Sequence, residues 1–360
     1  MTFPPRILDL AAIRVALLRV CYWFLLMLPW FQDQFPLYLA PMAGVTNTIF
    51  RQMAKEFGAD VMVTEFVSAE GIFRRNERTL AYLEFVEAER PLGVQLFGAD
   101  PVHLGEAAKM VLDWKQPDFL DLNFGCPVNK VVAKNGGSAL LKDCPLLAKI
   151  ARSVVMSAAP CPVTAKIRTG WDDRSINAVT TARILEDAGI AAIAVHGRTK
   201  EQGYGGEADW DVISQVAAAV RVPVIGNGDI AGASDVRARM KSGVRGIMIG
   251  RAAMSAPWIF SEIKQFLATG VAADPFPIEA QWTHILRHAR RKVAYEGSEI
   301  HALQSMRTQF MHYSRGMPEA KRLRERFAHV SSLLELETIA AEHLASRDSS
   351  TPLLEPAAAT

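Results

Sequence analysis

A (β/α)8 barrel followed by an all-helical C-terminal domain is the α/β architecture that this 360-residue chain predicts. Three observations carry that expectation. Eight short apolar runs recur between residues 37 and 249, each bounded by turn-forming residues. The runs are nearly all apolar instead of alternating, as in parallel strands covered on both faces. Helical patterns lie between them, and eight such units in about 230 residues fit a barrel of ~250 residues. A doubly wound sheet would need only about five or six units.

The strand-like runs are 37–41, 61–64, 92–97, 119–122, 163–167, 192–195, 222–225 and 246–249. Helical patterns fall at 46–57, 102–114, 145–156, 176–188 and 233–241, with Thr46, Asp143, Ser175 and Ser234 at N-cap positions. The predicted divisions are an apolar N-terminal extension (1–33), the barrel (34–265), a helical domain (266–347) and a flexible Ala/Pro-rich tail (348–360). The run 20–31 is apolar except for Tyr22 and follows Arg14 and Arg19, like a signal-peptide core. It is shorter than the about 20 residues a spanning helix needs, and no small-x-small cleavage site follows. It reads as an extension packed on the body, or as a start codon placed too far upstream.

Half of the residues are hydrophobic, enough for a sizeable core, and the formal net charge is +2. Such a balance does not by itself announce a nucleic-acid partner. Cys21, Cys126, Cys144 and Cys161 show neither CxxC spacing nor a zinc-finger histidine partner. Neither disulfides nor a metal site is expected, and the compartment is expected to be reducing, hence cytoplasmic.

In a barrel of this kind the chemistry sits at the carboxyl ends of the strands. Those ends carry Pro41-Met42-Ala43, Gln95, Asn123 with Cys126, Lys166, His196 with Arg198, Asn227-Gly228-Asp229, and Gly250-Arg251. Polar groups absent from the strand bodies thus gather at one rim. The last two ends suit a phosphate: glycines allow close approach, and Arg251 supplies a bidentate guanidinium. Gln95 both donates to and accepts from a planar heterocycle, and Lys166 places charge near a ring that gathers electrons. Together these groups suit flavin mononucleotide (FMN). No GxGxxG follows the first strand, so a Rossmann nicotinamide site is not indicated.

The segment Asp121-Leu122-Asn123-Phe124-Gly125-Cys126-Pro127 is the most informative. Gly permits a tight turn and Pro stops the strand, which leaves a thiol on a stiff loop at a strand end. A lone Cys is more often an inert buried residue, but this setting argues for a functional one.

With Leu39-Ala-Pro-Met-Ala-Gly-Val-Thr46, Gly93-Val-Gln-Leu-Phe-Gly98, Lys134-Asn-Gly-Gly-Ser-Ala-Leu-Leu141, Thr164-Ala-Lys-Ile-Arg-Thr-Gly-Trp171, Val195-His-Gly-Arg-Thr199 and Ile225-Gly-Asn-Gly-Asp-Ile230, that segment resembles the tRNA-dihydrouridine synthases. The resemblance is nearest their B-type bacterial subgroup and spans about residues 37–260. It implies an FMN barrel that reduces uridine at C5=C6 in tRNA with NADPH, and a helical domain that helps hold the tRNA. Cys126 is then the proton donor to C5. A thiol near its free pKa of about 8.5 is protonated at pH 7, as a general acid must be. No local His activates it as a nucleophile. Asn123 is expected to read the uracil edge, Lys166 and His196 to lie near the flavin, and Arg198 to face the substrate.

Charge supports the nucleic-acid partner independently. Between His284 and His329 stand ten Lys/Arg and four Glu, a balance of +6 that leaves −4 for the rest of the chain. The segment is helix-like and broken at Gly316-Met317-Pro318. A solvated helical face is the bland explanation, but phosphate neutralisation needs such clustering, with Arg322, Arg324 and Arg326 at its densest point. No RRM, KH or zinc-knuckle motif appears, so recognition would be by tRNA shape with one base flipped out. Two rival readings are an FMN-dependent dihydropyrimidine- or dihydroorotate-type dehydrogenase acting on a free small molecule, and an inert FMN- or RNA-binding module. Neither the modified uridine nor the oligomeric state is legible.

Overall fold

The structure, a computed structural model, describes residues 28–32 and 34–348. Most of the N-terminal extension and the tail beyond Asp348 therefore lie outside the described residues. The chain forms two compact units, the first ending at Gly250 and the second beginning at Arg251. The helix Ile259–Thr269, which straddles the division read from sequence, belongs wholly to the second unit.

The first unit is a ring of parallel strands: β1 (Leu37–Leu39), β2 (Met62–Val63), β3 (Val67–Ser68), β4 (Leu92–Phe97), β5 (Phe119–Phe124), β6 (Val163–Arg168), β7 (Ala192–His196), β8 (Val224–Asn227) and β9 (Gly246–Ile249). Hydrogen bonding follows the order β1-β9-β8-β7-β6-β5-β4-β2, and β3 pairs with the end of β4. A parallel bridge between Tyr38 and Val61 closes the ring. The expected second strand, 61–64, is thus shortened to Met62–Val63, and the chain pairs again at Val67–Ser68. Thr64 interrupts it: its hydroxyl accepts the Gln95 N–H at 3.0 Å and donates to Glu65 O at 2.9 Å.

The helices between strands start where side chains satisfy their first N–H groups. Asp100 caps Pro101–Lys115, Asp143 caps Cys144–Ala158, and Asp209 caps Trp210–Ala219. Three predicted caps sit elsewhere. Asn47 caps Thr48–Glu56, because the Thr46 hydroxyl is occupied by the backbone of Met42. The Ser175 hydroxyl turns to Asp172, and the helix Ala178–Asp187 begins after Asn177. Gly232 precedes Ala233–Arg239, whose Asp235 reaches back to the N–H groups of Ala231 and Gly232.

The amino ends of the strands are closed by an apolar floor. Leu28 and Phe31 are fully buried with Tyr38, Val61, Val63, Phe119, Ala192, Ile225 and Met248. Trp30 packs on Phe119, ring centres 5.5 Å apart, and donates from Nε1 to the Tyr38 hydroxyl at 2.6 Å. The end of the predicted extension is therefore structural.

The second unit is all-helical among the described residues: Arg251–Ser255, Ile259–Thr269, Ile278–Glu296, Glu299–Tyr313, Ala320–Phe327 and Leu333–Asp348. Its core joins Trp282, Ile285, Phe310, Tyr313, Phe327 and Leu336. Inside it, His284 and His288 both meet the Tyr313 hydroxyl, at 3.1 and 2.8 Å. Among the described residues no helix is long and apolar enough to cross a membrane.

Candidate active site

Cys126 follows β5 on a loop that is fixed from both sides. Asn123 Oδ1 accepts the N–H groups of Gly125 and Cys126 at 3.2 and 2.8 Å. The Cys126 carbonyl accepts from Ser138 N at 3.1 Å and Ser138 Oγ at 2.9 Å. Gly137 stands against this loop at φ +59°, where a Cβ would come within 2.8 Å of Cys126 O. The segment Gly136-Gly137-Ser138 is thereby explained as a brace. Cys126 is 8% exposed. Burial pushes its thiol up, against the opposing pull of the Val128 N–H, Arg168 and Lys166, so it stays protonated at neutral pH.

A line of buried polar groups runs from this loop into the barrel. Asn123 Nδ2 donates to Gln95 Oε1 at 2.7 Å, and Gln95 Nε2 donates to Asp121 Oδ2 at 2.6 Å. Asp121 Oδ1 accepts from Thr164 Oγ1 at 2.6 Å. Burial raises the Asp121 carboxyl, opposed by its Gln95 and Thr164 donors and by Lys166. Lys166 lies opposite Asn123 in the β5–β6 register. Burial and then Arg168 draw its amine down to about 8, with Asp121 and Cys126 pulling the other way, so most of it keeps its charge at pH 7.

Gln95 and Asn123, expected to meet a ligand, therefore spend most of their amide capacity on each other and on the loop. Asn123 keeps one N–H and Gln95 one N–H for anything else. Sequence reasoning gave Asp121 no role, although it stands in the same motif. It also passed over Arg168, which is buried and donates to Gly125 O at 2.9 Å, Thr199 O at 2.8 Å and Gly203 O at 3.0 Å. Arg168 thus ties the thiol's loop to the loop after β7.

The rims after β7 and β8 interlock. Arg198, expected on the substrate side, is only 2% exposed. It donates to Gly205 O at 3.0 Å, Gly206 O at 2.6 Å and Asp229 Oδ2 at 2.7 Å. The guanidinium fixes the loop 199–206 through Nε and Nη2, and its buried Nη1 has no hydrogen-bond partner among the described residues. Asp229 also accepts the Ala208 N–H at 2.7 Å, so its carboxylate braces that loop too. Asn227 Nδ2 is taken by Met248 O at 2.8 Å. Gly228 has φ +127°, and a Cβ there would sit 3.1 Å from His196 Cδ2. Pro41, Met42 and Ala43 follow β1 in a turn held by Thr46, and Gly250 follows β9. Arg251 is exposed and opens the first helix of the second unit.

In that second unit Arg322, Arg324 and Arg326 share the helix Ala320–Phe327. Arg322 pairs with Glu319 at 3.1 Å, and Arg326 pairs with Glu342. Arg290 pairs with Glu337 at 2.8 Å. The +6 stretch is thus partly neutralised by the following helix, whose acids lie beyond residue 329. Arg324, Lys321 and Arg315 are exposed, with no ion pair among the described residues.

Known proteins complete the picture. The family model described as "Dihydrouridine synthase (Dus)" matches residues 38–348. A "Probable tRNA-dihydrouridine synthase" of Rickettsia bellii (strain RML369-C) is 40% identical over 288 residues, 79% of this chain and 87% of the relative. The "tRNA-dihydrouridine synthase B" of Xanthomonas campestris pv. campestris is 42% identical over 260 residues, 72% of this chain and 78% of the relative. That of Pseudomonas aeruginosa is 39% identical over 292 residues, 81% and 87% of the two chains. A family match over both units, on a barrel whose rim holds a protonated thiol and a half-buried lysine, places this chain in the dihydrouridine synthase family.

Proposed function

We propose that this chain is a tRNA-dihydrouridine synthase, an oxidoreductase that reduces the C5=C6 bond of uridines in tRNA with FMN as cofactor and NADPH as reductant. The observation that carries the reading is Cys126: a buried, protonated thiol on a loop braced by Asn123 and Ser138, at the carboxyl end of a barrel strand. Reduction of that bond needs a hydride at one carbon and a proton at the other. FMN, when bound, supplies the hydride that originates in NADPH. The thiol supplies the proton to C5 as a general acid.

The rim fits the cofactor. Lys166 is partly buried yet still charged, the form that steadies a ring gathering electrons. At Gly250 a Cβ would meet nothing closer than 3.6 Å, so the backbone there is open to close approach. Pro41, Met42, Ala43, Gln95, Lys166, His196, Asn227, Gly228, Asp229, Gly250 and Arg251 are the residues proposed to hold FMN, the last five at its phosphate. Asn123 offers its remaining N–H to the uracil, while Arg198 serves the substrate side through the loop it fixes. Arg322, Arg324 and Arg326 are proposed to meet tRNA phosphates. A dehydrogenase for free pyrimidines would share the rim but has no use for the exposed cations of the second unit.

The test joins cofactor and thiol. The purified protein should be yellow and release a compound with the mass of FMN. Cys126→Ala should keep that colour and still bind tRNA, yet form dihydrouridine about 10²–10⁴-fold more slowly, the usual worth of a positioned proton donor. Colourless protein that FMN does not reconstitute, or equal single-turnover rates for Cys126→Ala and wild type, would overturn the reading.

A further inference from the structure

The hydrogen-bonded line from Asp121 to the Cys126 loop has a direction, and both of its ends force it. The N–H groups of Gly125 and Cys126 only donate, so Asn123 must present Oδ1 to them. Its Nδ2 then faces Gln95 and needs an acceptor, which is Oε1 at 2.7 Å. Gln95 is left to donate from Nε2, and it finds Asp121 Oδ2 at 2.6 Å. An ionised carboxylate accepts without donating, so it is the group that terminates such a line without ambiguity. Gln95 and Asp121 are register partners across β4 and β5, and both are buried. Neither amide is able to exchange its partner for bulk water without a desolvation cost.

We infer that Asp121 is a positioning residue for the Cys126 thiol: its carboxylate fixes the orientation of the Gln95 and Asn123 amides in turn, and the second amide sets the thiol's loop. The inference rests on the proposed role of Cys126 as proton donor. An amide at position 121 would face Gln95 with either its oxygen or its nitrogen, and Gln95 and Asn123 would each gain a flipped alternative. A flipped Asn123 sets Nδ2 against two backbone N–H groups, donor against donor, and the loop opens. What matters is the bond direction and not the place of the charge. Moving the carboxylate one step along the line should therefore restore the loop. In Gln95→Glu combined with Asp121→Asn, the carboxylate at position 95 accepts from Asn123 Nδ2 on one side and from the new amide on the other. Asn123 keeps its orientation.

The experiment compares wild type and Asp121→Asn, each prereduced and mixed with saturating tRNA, and adds the double variant for the alkylation alone, because Gln95 is itself proposed to hold FMN. Flavin reoxidation is followed in a single turnover, and the iodoacetamide alkylation of Cys126 is followed separately by peptide mass. Asp121→Asn should slow reoxidation about 10–10²-fold, as misplacement on the ångström scale does. It should also change the alkylation rate by more than about threefold, because access to the thiol sets that rate. The double variant should return the alkylation rate to within about threefold of wild type. An Asp121→Asn variant within about twofold of wild type in both assays, or a double variant whose alkylation rate is no nearer wild type than the single's, overturns the inference. Should Asp121→Asn alone not fold, the double variant decides by alkylation: soluble protein alkylated near the wild-type rate supports the line, and insoluble protein or protein alkylated at a different rate refutes it. Wild type that tRNA fails to reoxidise would refute the proposed function instead, while the alkylation arm still reads the line itself.

Discussion

Replacing Gly137 by Ala tests whether the thiol's loop is braced as tightly as it is drawn. Two penalties apply. At φ +59° an L-residue takes on about 1–2 kcal/mol of backbone strain. The new Cβ would also stand 2.8 Å from Cys126 O and 3.2 Å from Cys126 Cβ, where ordinary contact begins at 3.4 Å. The Cys126 carbonyl must therefore retreat by about 0.6 Å, loosening its bonds to Ser138. A misplacement of about 1 Å costs about 10²-fold in rate, so roughly half of that on a logarithmic scale is about tenfold. Gly243→Ala is the control. It has φ +80° and meets only Ala217 Cβ at 3.7 Å, so it carries the backbone strain without the displacement. Both variants should melt lower by about 2–4 °C per kcal/mol. Only Gly137→Ala should slow single-turnover reduction of tRNA, about tenfold. If the two variants react at the same rate, the brace does not position the thiol.

Two further outcomes concern the helical unit. Arg324→Ala should lower the slope of log tRNA affinity against log salt by up to about 1 while Arg326→Ala, whose guanidinium is held by Glu342, should change it less; filter binding across a salt series measures both. His284 is drawn down to about 3 by burial and by Arg287 and Arg291, and His288 well below its ordinary value by burial and by His284, Lys292 and Arg291. The unfolded chain takes up these protons first, so stability is full above about pH 6.5 and falls as pH drops toward 3, by at most about 1.4 kcal/mol per pH unit for each histidine. Urea unfolding between pH 7 and 4.5 checks the sign; a flat profile would refute neutral burial of the pair.

The barrel was legible because its strands are buried on both faces. Runs such as 192–195 and 246–249 carry no polar side chain and stand out without any periodicity argument. Caps were less legible, since Thr46 and Ser175 are both good capping residues that the fold employs in turns. At the site, Cys126 could be found from its place at a strand end, a local property. Its supports could not. Gln95 and Asp121 meet only through the register of β4 and β5, and Arg198 meets Asp229 only because the loops after β7 and β8 are neighbours. Gln95 and Asn123, read as ligand contacts, also hold each other. For a related reason the charge count overlooked Glu337 and Glu342, which return on a later helix to Arg290 and Arg326.

The apolar floor beneath the strands bears on the order of events in each catalytic cycle. Protons move along hydrogen-bonded chains; Leu28, Phe31, Val61, Val63, Ile225 and Met248 offer none, and the Tyr38 hydroxyl among them leads only to the Trp30 indole, which has no acceptor to pass a proton on. A proton given up by Cys126 is therefore replaced from the rim side, where the substrate itself would sit. A seated nucleic acid covers that route. Under the proposed chemistry the thiol is a single-shot store: filled while the rim is open, spent once on the bound base, and refilled only after the product has left.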